Sequence, residues 1–179
     1  MITRDEALAL IKSQNPEPHM IQHALASEAV MRELAGHFGE DPDIWGMAGL
    51  VHDVDFPHTK DDPDRHGVLA VEILNGKMPD AIITAVQAHN SECTGIMPES
   101  RLDYALRAAE TVTGMVSAAA LVRPTGYDGM EAKSVKKKMK DKAFAANVSR
   151  ERIRECEKIG LSLDDFLTKS ISAMATMGV

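Results

Sequence analysis

The sequence predicts an all-α fold. Apolar residues recur at helical spacing in almost every segment, helix-start chemistry precedes those segments, and no run of alternating β-branched residues is long enough for a strand. Thr3 and Glu6 form a capping-box pair that opens a first helix with Ala7, Leu8 and Ile11 on one side. Pro18 suits the first turn of a second helix, with Met20, Ala24, Met31 and Leu34 in its apolar set and Gly39 as its stop. Asp41 and Pro42 start a third, DIWGMAGLVHD, apolar over most of its surface and therefore buried. Residues 54–65, with Pro57, Pro63 and four aspartates, read as a polar loop. Helical pattern returns from His66 to Asn75, stops at Gly76, and resumes after Pro79 through IITAVQAH to His89.

A second loop, Asn90 to Glu99, leads to a long helix capped by Ser100 and Asp103 and apolar as far as Val122, where Arg123 and Pro124 end it. Beyond it KSVKKKMKDK is strongly basic. Lys133, Lys136, Lys137 and Lys140 would share one solvated helix side. Ser149 caps RERIRECEKIG, and Ser162 with Asp165 caps a last helix ending near Met177. One domain is expected over 1–179, with a core at about 18–124 and a helical extension at about 130–179.

Composition narrows the function. A net charge of -7 opposes nonspecific attraction to nucleic acid or anionic membrane, and 4% aromatic content opposes a base-stacking platform. No nucleic-acid polymer and no membrane partner is expected. Cys93 and Cys156 form no CxxC motif, and the acidic first turn is unlike a signal peptide, so a reducing cytoplasm fits best. Oligomeric state leaves no mark.

The chemistry gathers around histidine. His52 and Asp53 are adjacent at the end of the apolar helix, where a carboxylate needs a partner because an unpaired buried charge is costly. A divalent metal is one such partner. Neighbouring helix positions point about 100° apart, so both reach one ion only off the helix end, with other ligands arriving from other helices. His23 lies on a face of small and apolar residues, and Glu110 lies in LRAAETVTG, again among small residues. Glu110 has an alternative partner in Arg107 one turn earlier. His66 and His89 stand at helix ends that could face the same cleft and hold a second ion; capping a helix carbonyl is their plainer role. His19, His37 and His58 read as surface or loop residues, although His58 could reach the cleft. Imidazole and carboxylate together suit Zn, Mn, Fe, Ni or Co, as one or two ions.

His23, then His52-Asp53, then an acidic residue in a late helix resembles the HD-domain metal-dependent phosphohydrolase superfamily over about residues 20–122. His66 and His89 look like the extra ligands of its two-metal branches. AETVTGMVSAAALVRP and FAANVSRERI are similar to small bacterial HD or HDIG-type hydrolases. Three departures stand out: Glu110 occupies a position where the family has Asp, PTGYDGM lacks the GYP signature, and Asn90 rather than His follows His89.

The resemblance implies a helical bundle with a metal site between core helices. It also implies hydrolysis of a phosphoester in a small phosphorylated metabolite or nucleotide by a metal-activated water. Asp53 would ligate the ion and orient or deprotonate the water, Asp55 would be a second candidate base, and Lys60 or Arg65 would neutralise the phosphoryl group. The alternatives are a di-iron oxygenase of the same fold acting on a phosphonate or polyol, and a non-catalytic metal- or ligand-binding module.

Overall fold

The computed structural model describes residues 1–177; the last two positions of the expected extension, 178 and 179, lie outside the described residues. All regular structure among them is helical. Helix α1 (Arg4–Ser13) carries the expected reciprocal cap, with Thr3 Oγ1 accepting from the Glu6 amide and Glu6 Oε2 accepting from the Thr3 amide at 2.8 Å. Helix α2 (Pro18–Phe38) ends at Gly39, whose φ of 69° is left-handed. Helix α3 (Pro42–Val51) is capped by Asp41 and is buried from Trp45 to Val51, as its unbroken apolar pattern requires.

Helix α3 packs most extensively on α2, and one residue makes that approach possible. A Cβ at Gly49 would meet the Ser27 carbonyl oxygen of α2 at 2.6 Å, so only glycine lets the two backbones come so close. The buried Glu28 carboxylate ties α1 to α2, accepting from Arg4 at 2.7 Å and from Arg32 at 3.0 Å.

The expected loop after Asp53 contains a single helical turn, α4 (Phe56–Thr59), and a 3-10 turn at Pro63–Arg65. Helix α5 (Val68–Leu74) starts two residues later than expected. His66 is extended and Gly67 has a φ of 87°, so the chain reverses into the helix only after both. Helix α6 (Asp80–His89) runs into another single turn, α7 (Ser91–Thr94), inside the second expected loop.

Helix α8 (Arg101–Leu121) is as long as α2, each having 21 residues, and together they form the spine of the molecule. Helix α9 (Ala132–Met139) turns Val135 and Met139 inward and its lysines outward. Helix α10 (Arg150–Arg154) continues as a 3-10 turn at Glu155–Ile159, and α11 (Leu163–Ala175) lies across α2, α8 and α9.

The core joins α2, α3, α6, α8 and α11 through Met31, Leu34, Leu50, Ile82, Leu106 and Phe166, each almost completely buried. Each such side chain contributes about 1.5–3 kcal/mol by leaving water. Among the described residues no helix is long and apolar enough to cross a membrane.

Candidate metal centre

Four segments deliver imidazoles to one carboxylate. His23 comes from the second turn of α2, His52 from the C-terminus of α3, His66 from the extended step before α5, and His89 from the last residue of α6. Asp53 stands at the centre and presents a different oxygen to each pair. Its Oδ2 lies 3.8 Å from His23 Nε2 and 3.5 Å from His52 Nε2, while its Oδ1 lies 3.3 Å from His66 Nε2 and 3.5 Å from His89 Nε2. Within each pair the Nε2 atoms are 3.1 Å apart. His23, His52 and Asp53 form one group that could hold a metal ion, and Asp53, His66 and His89 form another.

The other ring nitrogen of each histidine decides what those Nε2 atoms are. His52 Nδ1 donates to the Gly49 carbonyl at 2.8 Å, and His89 Nδ1 donates to the Val86 carbonyl. His66 Nδ1 donates to Asp55 Oδ1 at 3.0 Å. His23 Nδ1 lies 3.0 Å from Thr113 Oγ1, which accepts because its own proton goes to the Glu110 carbonyl at 2.6 Å. Every acceptor holds the proton on Nδ1, leaving four Nε2 lone pairs aimed inward. Two lone pairs 3.1 Å apart repel unless a cation or a proton lies between them. A metal about 2.1 Å from two imidazole nitrogens at about 90–110° sets them about 3.0–3.4 Å apart, so the donor set fits a divalent ion in each group.

The electrostatics agree with a site that wants positive charge. Burial drives the His52 imidazole down to about 3, more than the neighbouring Asp53 can offset, so its ring is neutral. Burial opposes the Asp53 carboxylate, but His52, His66, His89 and His23 together hold it well below the ordinary carboxylate range. Burial also works against charge on His66. Its hydrogen bonds to Asp53 and Asp55 outweigh that and lift it to about 10, so without a metal a proton fills the role there.

Several expected site residues stand elsewhere. Asp55 is fully buried and spent on structure: Oδ1 holds His66, and Oδ2 accepts from the Gly67 and Ala70 amides at 2.8 and 3.0 Å. Those bonds leave it no access to a water in the cleft, so it positions His66 and is not placed to act as a base. Lys60 is exposed and faces Glu17 at 3.6 Å, and Arg65 is exposed at the end of the 3-10 turn. Neither lines either of the two cavities that contain His23, and the loop that carries them runs over the surface. His58 turns outward to Gln14 at 3.1 Å.

Glu110 borders both groups without belonging to either. Its Oε1 accepts from Thr111 and lies 3.8 Å from Arg152, and burial raises its carboxyl above the usual range. Arg107 does not pair with it. The Arg107 guanidinium is buried, bonds Glu155 at 2.7 Å, and donates to the Ala88 and His89 carbonyls at 2.8 and 3.2 Å, clamping the helix end that carries His89.

Thr113 and Arg152, which respectively touch His23 and approach Glu110, are not singled out by the sequence, and Arg107 is considered there only as a partner for Glu110. A lone arginine among small residues in LRAAE, and a threonine one turn after Glu110, were the available signals for Arg107 and Thr113. Asn90, where another histidine was considered, holds the His66 carbonyl through Nδ2 at 3.0 Å.

Residues 20–115, more than half of the chain, match the family model described as HD domain. The chain belongs to the HD domain family. Members of the HD superfamily are generally metal-dependent phosphohydrolases, and the match ends just beyond Glu110 and Thr113. No curated protein and no solved structure matches the chain.

Proposed function

We propose that this HD domain protein hydrolyses the phosphoester bond of a small phosphorylated molecule, with one divalent metal held by His23, His52 and Asp53 and a second by Asp53, His66 and His89. The observation that carries the reading is the single carboxylate shared by two pairs of imidazoles, all four with the proton fixed on Nδ1. Bound there, divalent metals supply Lewis-acid stabilisation of the phosphoryl oxygens and a water acidic enough to attack near neutral pH.

The protein's own groups do the rest. Asp53 stays ionised, and His52 stays neutral and fixed. Glu110, with its raised pKa and its place beside His23, takes a proton from the attacking water and returns it to the leaving alcohol oxygen. Arg152 lines the same cavity; its Nη2 is bonded to Glu92 at 2.7 Å, and its Nη1, on the Glu110 side, is the group that would meet the phosphoryl oxygens, the role first expected of Lys60 and Arg65. The water oxygen forms a bond to phosphorus, the ester P–O bond breaks, and the products are inorganic phosphate and the alcohol.

Phosphate release from a panel of monoesters and nucleotides, with chelated protein reloaded with Zn, Mn or Co, tests this. Activity is expected to vanish on chelation and return on reloading. Glu110→Gln is expected to lower kcat by about 100-fold or more. A folded, metal-loaded protein that releases no phosphate from any ester contradicts the reading; oxygen uptake by iron-loaded protein would then favour the oxygenase.

A further inference from the structure

Two cavities meet at His23, and they differ in chemistry. One, of about 290 Å³, lies between α2, α8 and the end of α11, with His23 and Thr113 on its inner wall. The other, of about 230 Å³, lies between α8 and the start of α10 and contains Glu110, Ser149 and Arg152. Gly114 lines both, so no side chain at that position divides them.

The cluster opens toward this side. His23 and Asp53 are its most exposed members, with side chains 28% and 21% accessible, whereas those of His52 and His89 are only 1% and 4% accessible.

The larger cavity is mostly apolar, lined by Ala26, Gly114, Leu121, Tyr127 and Met174, with Gln22 and His19 of α2 as polar members of its wall. Leu121 is 86% exposed at the rim, an apolar side chain left in water with no core to join. No lysine, arginine or carboxylate lines this cavity among the described residues, and its Ser117 hydroxyl already faces the Tyr127 hydroxyl at 3.4 Å. Its volume is at the small end of ligand pockets, which run from about 300 to 1,000 Å³.

We propose that this cavity receives the organic part of the substrate, and that the enzyme selects monophosphate esters of small, uncharged, largely apolar alcohols. The proposal rests on the phosphohydrolase reading above. The phosphoryl group lies at the cluster, where the polar cavity brings Arg152, and the apolar group extends past Thr113 toward Leu121. A sugar in the same space sets hydroxyls against the apolar walls at Ala26, Leu121 and Met174, and binding sites discriminate strongly on unpaired polar groups. The walls at Tyr127 and Met174 come from the segment after the family match, so this selectivity belongs to this chain's C-terminal helices.

Benzyl phosphate and ribose 5-phosphate test the idea, because both are primary alkyl esters and differ little in leaving-group reactivity. Wild-type kcat/KM is expected to favour benzyl phosphate by about 10-fold or more, and Ser117→Phe, which fills the cavity from α8, is expected to collapse that ratio. Calorimetry with benzylphosphonate, which is not hydrolysed, gives a readout independent of turnover. Its Kd is expected to rise about 10-fold in Ser117→Phe and severalfold in Leu121→Asn, where the exposed position leaves folding untouched.

Equal or reversed preference, or benzylphosphonate binding unmoved by both variants, overturns the pocket and leaves the hydrolase reading standing. Benzylphosphonate binding that weakens in both variants, with no phosphate released from any ester, supports the pocket and overturns the hydrolase reading.

Discussion

The two halves of the candidate metal centre are built on one plan and differ in one partner. Each half pairs a deeply buried histidine with a more exposed one. The buried members, His52 and His89, sit at helix ends and give their Nδ1 protons to carbonyls three residues back, a contact that the helix itself supplies. The exposed members, His23 and His66, depend on distant side chains. His23 relies on the neutral hydroxyl of Thr113, 90 residues away, and His66 on the buried carboxylate of Asp55. A carboxylate behind an imidazole makes it a more basic ligand than a hydroxyl does. The His66–His89 half is therefore the more anionic, and it is the half that takes up a proton when no metal is bound.

That difference sets the order of expected effects. Asp55→Asn removes the charge behind His66 and turns an amide toward the Gly67 or Ala70 amides, which are themselves donors. It is expected to weaken the second metal by about 100-fold and to lower stability by about 1–3 kcal/mol. Metal titration and thermal melts of the same preparation measure both. Thr113→Val removes the acceptor from the more exposed His23, and the first metal should weaken by only about 10-fold, with the second nearly unchanged. If Thr113→Val weakened both sites equally, the halves would not be separately supported.

Much of the helical frame was legible because its signals are local. The capping pairs at Thr3 and Ser100, the proline at position 18 and the Gly39 stop each act within a few residues. The gathering of His23, His52, His66 and His89 was suggested by the family order and, for His52, His66 and His89, by places at helix ends; that Asp53 would face all four was not. Lys60 and Arg65 misled because nearness to His66 along the chain does not fix side-chain direction. Asp55 misled because a carboxylate that caps a helix and one that activates a water look alike in sequence. Arg152 lies 42 positions beyond Glu110, and only the packing of α10 on α8 brings the two together.

The smallest expected effect is on the pH dependence of stability in the metal-free protein. His66 has a folded-state pKa raised from 6.5 to about 10, so its contribution is fully present below 6.5 and is lost as pH rises through about 10. His52 is lowered from 6.5 to about 3, so the unfolded chain binds a proton that the folded one refuses, and stability falls as pH drops below 6.5. Asp53, lowered well below 3.8, adds to the loss in acid. The two halves thus fail at opposite ends of the scale. Tm should peak near neutral pH and fall on each side, by about 2–4 °C per kcal/mol lost for a chain of this size. His66→Gln should flatten the alkaline arm and leave the acid arm, and an unchanged alkaline arm would remove His66 from its cause.

The sharing of Asp53 between two ions is tested most directly by metal content at saturation, determined by elemental analysis on folded protein. Two equivalents per chain are expected for the wild type, one for a His66→Ala/His89→Ala double variant, and none for Asp53→Ala. One equivalent in the wild type, unchanged in the double variant, would contradict a carboxylate that bridges two metals.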